Sequence, residues 1–219
     1  MIIFISFIFL FSFIYFYNKN FNNFGDFISF IFSNILLYLG YKFDSINSIN
    51  DYPSKLLIIS SHTSIYDFLI GLLYYYSVLH EKYDTYILMK DSFQKICNPI
   101  LRLIDKKIKL ISVEYNKKGL TDKICNELSD KNNYIIFIAP EGTRKCTENL
   151  KTGYWHIAQK LNIDIVYIGI DFLTKDIMLE NYRKAYDNWD KEEESFIQNC
   201  KKYIPLYPER CYWTRNFYS

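Results

Sequence analysis

The feature that most constrains the fold is the alternation of apolar, strand-like runs with segments of helical length over residues 55–172. Runs such as 55–60 and 133–139 are short and dense in isoleucine, which is typical of buried β-strands. Segments long enough for helices, such as 119–130, separate these runs. This order predicts an α/β domain with a mixed, substantially parallel sheet that is flanked by helices.

Two helical segments carry features of their own. The segment at 92–105 contains Pro99, and a proline inside a helix predicts a bend or an interruption there. The segment at 184–204 is rich in Asp, Glu and Lys, which predicts a charged surface helix. An aromatic tail follows this helix and shows no recognisable chemistry.

Two dense apolar stretches precede the α/β region. Residues 2–17 are apolar apart from two serines, and as a helix they reach about 24 Å, less than the roughly 30 Å of a hydrocarbon core. No Lys or Arg precedes this stretch and no cleavage site of small residues follows it, so a signal peptide is the weaker interpretation. Together with the stretch at 27–41 it predicts hydrophobic membrane-attachment helices over 1–45, either a hairpin in one leaflet or one marginal span plus an interfacial helix. The alternative is two core helices of a soluble domain.

Composition argues against several classes of protein. The formal net charge of +2 lacks the basic excess of a nucleic-acid-binding protein, and a hydrophobic fraction of 50% argues against intrinsic disorder. The cysteines are odd in number and none is spaced as C-x-x-C, so we expect free thiols in a reducing compartment and no metal site. They are Cys97, Cys125, Cys146, Cys200 and Cys211. Cys146 lies beside a motif described below, but no sequence neighbour would activate it as a nucleophile.

The stretch SSHTSIYDF, residues 60–68, places His62 five residues before Asp67, directly after a predicted strand. A carboxylate in the first turn of the following helix can accept the Nδ1–H of such a histidine and leave Nε2 free to remove a proton from an alcohol. The same residues also fit a helix capping box between Ser64 and Asp67, which requires no histidine. On its own, this stretch leaves both interpretations open.

A second polar cluster, PEGTR at residues 140–144, follows the strongest predicted strand. Its proline ends the strand and its glycine lets the backbone turn tightly. Thr143 supplies a hydroxyl, and Arg144, one of only five arginines in the chain, supplies a planar guanidinium that suits phosphate. The alternative is a surface turn with an ion pair between Glu141 and Arg144. Both clusters lie at the carboxyl ends of predicted strands, where ligands of parallel sheets tend to bind.

Together, the two clusters resemble the motifs of the glycerolipid acyltransferases typified by lysophosphatidic acid acyltransferase. This family carries an H-x-x-x-x-D block, here SHTSIYDF, and roughly eighty residues later a P-E-G-T-R block, here intact. The segments MKDSFQKICNPILRLI and LKTGYWHIAQKLNIDIVYIGIDF resemble its remaining blocks, in the right order and spacing. The resemblance covers about 55–172. It implies a glycerol-3-phosphate acyltransferase-like domain at 46–219, with a C-terminal helix and tail at 180–219.

The resemblance implies acyl transfer from acyl-CoA or acyl carrier protein to a hydroxyl of a lysophospholipid such as lysophosphatidic acid. His62 is then the catalytic base and Asp67 orients it. The substrate-binding residues that the family indicates are Lys90, Glu141, Gly142, Thr143 and Arg144, with the glutamate better suited to organising the loop or a glycerol hydroxyl than to touching phosphate. We expect membrane lipids as partners, no cofactor beyond the acyl donor, no nucleic acid, and an active site that faces the cytosol.

The sequence departs from the family at two places. The middle block of the family ends in an arginine, where this chain has Glu114 and Tyr115, and the last strand has Tyr167 in place of a proline. Both positions help to shape acceptor and phosphate binding in the family, so the substrate is less determined than the reaction type. A hydrolase that uses the same His–Asp pair with water, and a catalytically idle lipid-binding protein at the membrane surface, stay open. Neither His80 nor His156 has an Asp five residues further on.

Overall fold

The computed structural model describes residues 24–43, 51–80, 82–104, 107–113 and 119–214 of the chain. The first apolar stretch at 2–17 and the departure at Glu114 and Tyr115 lie outside the described residues.

Over residues 55–171, strands and helices alternate as expected, whereas two further strands follow without a helix between them. The helices are α1 (Phe24–Tyr38), α2 (Ile65–Tyr74), α3 (Asp91–Ile104), α4 (Leu120–Leu128), α5 (Gly153–Leu161) and α6 (Trp189–Cys200). The strands are β1 (Lys42–Phe43), β2 (Lys55–Ile59), β3 (Asp84–Lys90), β4 (Ile108–Val113), β5 (Tyr134–Ile138), β6 (Asp164–Asp171), β7 (Asp176–Leu179) and β8 (Arg183–Lys184). A π-helical turn, Tyr75–Leu79, extends α2, and 3-10 turns at Pro208–Arg210 and Tyr212–Thr214 follow α6.

The strands form one mixed sheet in the order β1-β7-β6-β2-β5-β3-β4, and β8 pairs with β6 beside that path. The pairs β2–β5, β2–β6, β3–β5, β3–β4 and β1–β7 are parallel, whereas β6 pairs with β7 and β8 in the antiparallel sense. Helices α2, α3 and α4 follow β2, β3 and β4 directly, as parallel crossover connections require. The predicted α/β architecture with a mostly parallel sheet is therefore confirmed.

Side chains of the central strand β2 alternate between two hydrophobic clusters, one on each face of the sheet. Leu56 and Ile58 pack in a cluster with residues of α1 and α2, whereas Leu57 and Ile59 pack with residues of α4, α5 and α6. None of these four side chains is more than 1% exposed. Because both faces are covered, the strand reads in the sequence as a continuous apolar run.

The second apolar stretch forms α1, which packs against α2 and the π-helical turn. Leu36 is fully buried, and Phe32 stacks on Tyr76 with ring centroids 4.8 Å apart. The Ser29 hydroxyl donates to the Tyr76 carbonyl over 2.7 Å. Helix α1 has 15 residues, and no helix within the described ranges is long and apolar enough to cross a bilayer. Membrane attachment through residues 1–45 therefore stays a prediction.

The segment around Pro99 forms one continuous helix, so an interruption there is wrong. Proline removes one backbone N–H from the helix, and the other hydrogen bonds of the helix do not depend on that group. The side-chain amide of Gln94 also ties α3 to β4, since its nitrogen donates to the Leu110 carbonyl over 2.7 Å. This bond holds the part of α3 that precedes Pro99 against the sheet.

The charged helix is shorter than the predicted segment at 184–204. Asn188 caps α6, because its side-chain oxygen accepts the Asp190 backbone N–H over 2.7 Å. Lys184 belongs to β8 and pairs with β6. The residues that follow Cys200 return to the edge of the sheet where the two polar clusters lie.

Candidate active site

The three strands that carry the candidate motifs are neighbours, since β5 lies between β2 and β3. They run parallel, so their carboxyl ends share one edge of the sheet. Ile59 pairs with Ile138, which brings the turn after β2 beside the loop after β5. Lys90 ends β3 three residues beyond Ile87, which pairs with Phe137. The topology thus places three segments together at one edge of the sheet: the His62 turn (residues 60–64), the PEGTR loop (residues 140–144) and the end of β3.

The His62 turn is folded around the Asp67 carboxylate. Oδ2 of Asp67 accepts the backbone N–H of Thr63 over 2.6 Å and that of Ser64 over 2.7 Å. The same oxygen lies 3.4 Å from His62 Nδ1, so a small movement of the imidazole makes this contact a hydrogen bond. The Asp67 carboxylate is buried, whereas 26% of the His62 side chain is exposed. The imidazole therefore reaches the surface while its orienting group stays out of water.

The same carboxylate also begins α2. The Ser64 hydroxyl accepts the Tyr66 backbone N–H over 3.1 Å, and Asp67 accepts the Ser64 N–H, which completes a capping box. The helix-capping interpretation of the sequence is therefore correct. It does not exclude a catalytic His–Asp pair, because the bonds that fix Asp67 at the helix start also hold its oxygen beside His62.

Glu141 of the PEGTR loop lies beneath the His62 turn and is 1% exposed. Its Oε2 accepts the His62 backbone N–H over 2.6 Å. Its Oε1 accepts the Ser61 hydroxyl over 3.2 Å and the Tyr212 backbone N–H over 3.1 Å. Burial raises the pKa of Glu141, and the hydrogen bonds from these donors oppose that rise. The alternative ion pair with Arg144 is not formed. The contacts of Glu141 join the PEGTR loop to the His62 turn and to Tyr212, and its role toward substrate stays a prediction.

Tyr167, which stands where the resembling family has proline, supports the His62 turn from β6. It pairs with Ile59 across the sheet, and its phenol oxygen is within hydrogen-bonding reach of the Ser61 backbone N–H. The phenol donates to Cys200 Sγ over 3.5 Å. Burial raises the pKa of Tyr167 well above its usual value, so the phenol stays neutral. A cavity of about 20 Å³ between this ring and the turn is large enough for one water molecule.

The C-terminal segment Pro208–Thr214 crosses the same edge of the sheet. Besides the bond from Tyr212 to Glu141, Cys211 Sγ lies 3.4 Å from the Ser61 hydroxyl oxygen. The Cys146 thiol donates to the Cys211 carbonyl over 3.4 Å. Burial raises the pKa of Cys211 to about 12, which makes this thiol a poor nucleophile at neutral pH. The sequence does not signal these contacts, because 150 residues separate Ser61 from Cys211.

The other residues expected to bind substrate lie nearer to the surface. Gly142 has a φ of 65°, in the left-handed region that favours glycine. The Thr143 hydroxyl accepts the Lys145 backbone N–H over 3.3 Å. Arg144 is exposed and makes no hydrogen bond or ion pair with any residue that the structure describes. Lys90 is also exposed, at the end of β3. The structure brings these residues to one edge, and their roles in binding stay predictions.

The remaining histidines and cysteines have other surroundings. His80 is buried, with Nδ1 3.1 Å from the Ser29 hydroxyl, and His156 is exposed beside the ring of Trp155. All five cysteines are free thiols, and Cys146 is exposed. In the described part of the chain, no three His, Cys, Asp or Glu side chains gather in a way that could hold a metal ion.

Comparison with known proteins gives a family. The chain matches the family model described as Acyltransferase over residues 45–171, more than half of its length, and it belongs to that family. The matched range contains His62, Asp67, Lys90 and the PEGTR loop. Searches among curated proteins and among solved structures give no match. Membership of the family indicates acyl transfer in lipid metabolism.

Proposed function

We propose that the protein is a membrane-associated acyltransferase that moves a fatty acyl group from acyl-CoA, or from acyl carrier protein, to a hydroxyl of a lysophospholipid such as lysophosphatidic acid. The observation that carries the proposal is the 3.4 Å contact between His62 Nδ1 and Asp67 Oδ2, inside the matched family range and at the carboxyl edge of parallel strands. The product serves phospholipid synthesis or remodelling.

His62 acts as the general base in this reaction. Asp67 holds the Nδ1–H, and Nε2 accepts the proton of the acceptor hydroxyl as its oxygen attacks the thioester carbonyl. The C–O bond of the new ester forms, the C–S bond breaks, and the leaving thiolate takes up a proton. The bond from the His62 N–H to Glu141 keeps the imidazole from drifting away from the acceptor.

The exposed cations at the sheet edge hold phosphate in this proposal. The guanidinium of Arg144 presents a planar fork that matches two phosphate oxygens. Lys90 adds a second positive charge from the neighbouring strand, and the Thr143 hydroxyl and the Gly142 backbone complete the loop. The exposure of Arg144 suits a ligand that arrives from outside the protein.

Attachment to a membrane would deliver both lipid substrates to this edge. The apolar stretch at 2–17 supports it, and so do the exposed Leu, Tyr and Leu side chains at 37–39, after which the chain enters β1. On α2, directly after the His62 turn, Tyr66 and Leu69 are also exposed. The free cysteines suit a site that faces the reducing cytosol.

Mass spectrometry of reaction products tests the proposal. Purified protein in detergent is offered a panel of lysolipids together with acyl-CoA, and the variant His62→Ala is run beside it. We expect a diacyl product from a phosphate-bearing lysolipid with the wild type and none with the variant. Free fatty acid without an acylated lipid identifies a hydrolase, and lipid binding without either product identifies a binding protein.

A further inference from the structure

We propose that Arg210, which lies outside the matched family range, binds the phosphate group of the lysolipid acceptor and so selects the class of acceptor. The inference rests on the proposed acyl transfer and adds a residue to it from the C-terminal segment.

Arg210 contacts the His62 turn. Its Nη1 donates to the Thr63 carbonyl over 3.4 Å, so the guanidinium lies beside the residue that follows the candidate base. Two residues later, the Tyr212 N–H donates to Glu141, the same carboxylate that accepts the His62 N–H. The position of Arg210 is thus coupled to the position of His62 through backbone groups on both sides.

The segment around Arg210 is also internally bonded. The Arg210 N–H donates to the Tyr207 carbonyl over 3.0 Å, and the Thr214 hydroxyl donates to the Pro208 carbonyl over 2.9 Å. The guanidinium carbon lies 4.0 Å from the centre of the Tyr207 ring, close enough for a cation–π contact. An arginine held in this way loses little conformational entropy when it binds an anion.

The guanidinium retains capacity for a ligand. The Arg210 side chain is 43% exposed, and its contact with neighbouring Glu209 is a loose, solvent-exposed one of 3.7 Å from Nε. The bond to Thr63 uses Nη1, and Nη2 donates to no group in the described part of the chain. Arginine carries five N–H donors in a rigid fork, so the unused donors can meet phosphate oxygens.

Two arginines at this edge of the sheet are available to bind one anion together. Arg183 is occupied, because its two terminal nitrogens donate to the buried Glu192 over 2.8 Å and 2.9 Å. Among the arginines whose side chains the structure describes, that leaves Arg144 in the PEGTR loop and Arg210 at the His62 turn. The chain just after the PEGTR loop contacts the segment of Arg210, because the Cys146 thiol donates to the Cys211 carbonyl over 3.4 Å. The proposal places the phosphate of the acceptor between these two arginines, with the lipid hydroxyl directed toward His62.

A purely structural role for Arg210 makes a different prediction. If the side chain only clamps the C-terminal segment onto Thr63, its loss lowers thermal stability and slows turnover with every acceptor alike. If it binds phosphate, its loss acts on the KM of phosphate-bearing acceptors alone.

Steady-state kinetics with two acceptors separates these roles. Lysophosphatidic acid carries the phosphate and monoacylglycerol lacks it, and each is varied at saturating acyl-CoA. Arg210→Gln removes the charge and the fork, and its shorter side chain also gives up the long 3.4 Å bond to the Thr63 carbonyl, so Tm and the monoacylglycerol kinetics report any structural effect. We expect its KM for lysophosphatidic acid to rise about tenfold, with kcat and Tm close to the wild type and no change for monoacylglycerol. The matched control is Lys131→Gln, an exposed cation ahead of β5 at the opposite edge of the sheet, which should change neither.

Three results would overturn the assignment. Two are an equal loss with both acceptors and an unchanged KM for lysophosphatidic acid. The third, from a companion series that varies acyl-CoA at a saturating acceptor concentration, is a rise in the KM for acyl-CoA, which would place the bound phosphate on the donor. Calorimetric titration with glycerol 3-phosphate requires no turnover and separates this inference from the proposed reaction. Binding about tenfold weaker in Arg210→Gln supports it even where the wild type yields no acylated lipid, and equal binding rejects it.

Discussion

The His62 turn and the PEGTR loop lie side by side at one edge of the sheet, yet the structure holds them in different ways. In the turn, three consecutive backbone N–H groups, those of His62, Thr63 and Ser64, all end on buried carboxylates. In the PEGTR loop, Gly142 and Arg144 are exposed, and the arginine makes no hydrogen bond or ion pair with the described residues.

The difference separates two requirements of the proposed reaction. Proton removal needs an imidazole held in one place, and the hydrogen bonds of the turn supply that. Recognition of a phosphate headgroup needs a side chain that can approach the ligand, and the exposed loop supplies that. Glu141 belongs to the loop by sequence and to the turn by its contacts, so it links the two.

The variant with the largest expected effect tests the rigidly held His62 turn. Replacing His62 by Ala should lower kcat about 10²- to 10⁴-fold, because the acceptor hydroxyl loses its general base. Lipid binding should persist, as measured by co-sedimentation with vesicles. The variant His156→Ala, an exposed histidine beside Trp155, serves as the control and should keep full activity. Unchanged acylation in His62→Ala would remove the proposed mechanism.

Glu141→Ala should destabilise the His62 turn, because it removes the carboxylate that accepts hydrogen bonds from the turn. The change leaves the His62 and Tyr212 N–H groups and the Ser61 hydroxyl without their acceptor, which should cost about 2 kcal/mol in the free energy of unfolding. We expect kcat to fall as well, because the His62 backbone loses the hydrogen bond to Glu141 that positions the imidazole. Urea unfolding and kinetics measure both, with the exposed Glu194→Ala as the control. A stable variant with normal kcat would show that the turn does not need Glu141.

Arg144→Ala tests the exposed PEGTR loop and should leave the fold unchanged. Without the guanidinium, the KM for a phosphate-bearing acceptor should rise about tenfold, while Tm stays at the wild-type value. Thermal unfolding and initial-rate kinetics on the same preparation check the two parts. A fall in Tm would mean that the loop contributes to stability in a way that its exposure does not suggest.

A smaller effect is expected where the C-terminal region meets β6. A Cβ at Gly169 would overlap the ring of Tyr203, whose hydroxyl donates to Glu180 over 2.6 Å. Gly169→Ala should therefore shift this region and cost about 1–3 kcal/mol in the free energy of unfolding. The matched control is Gly71→Ala in α2, where the added Cβ meets open space and should stabilise by about 0.5–1 kcal/mol. Equal stability of the two variants would contradict the close approach of the tyrosine.

The smallest effect is a pH dependence. Burial raises the pKa of Glu141 above its usual 4.5, so between these values the folded state binds more protons than the unfolded state. The contribution of Glu141 to the free energy of unfolding is therefore present below pH 4.5 and is lost as the pH rises through the raised pKa. Urea unfolding across this range should show the wild type losing stability relative to Glu141→Gln. A wild type that gains stability relative to Glu141→Gln as the pH rises would contradict the raised pKa.

The sequence predicted most of the fold because the signals for it are local. The apolar run at 55–60 and the one at 133–139 form β2 and β5, since strands buried on both faces need continuous apolar side chains. The approach of His62 to Asp67 was also predictable, because five residues across a strand–helix turn bring the two side chains together.

The support of the site could not be predicted in the same way. The contacts of Tyr212 and Cys211 with the turn join positions far apart in the chain, and an aromatic tail has no periodicity that would indicate them. Tyr167 could be recognised as a departure from the family, but its position beside the Ser61 backbone N–H follows only from the pairing of β6 with β2.

The bond between Glu141 and Tyr212 makes the candidate site depend on residues near the end of the described chain. A truncated chain that ends before Tyr212 still contains β2 and β5, which pair, but it lacks one of the groups that hold the glutamate. Closing a contact across such a separation is slow compared with local folding. We therefore expect catalytic competence to appear last, after the core has formed, so that partial translation products stay inactive.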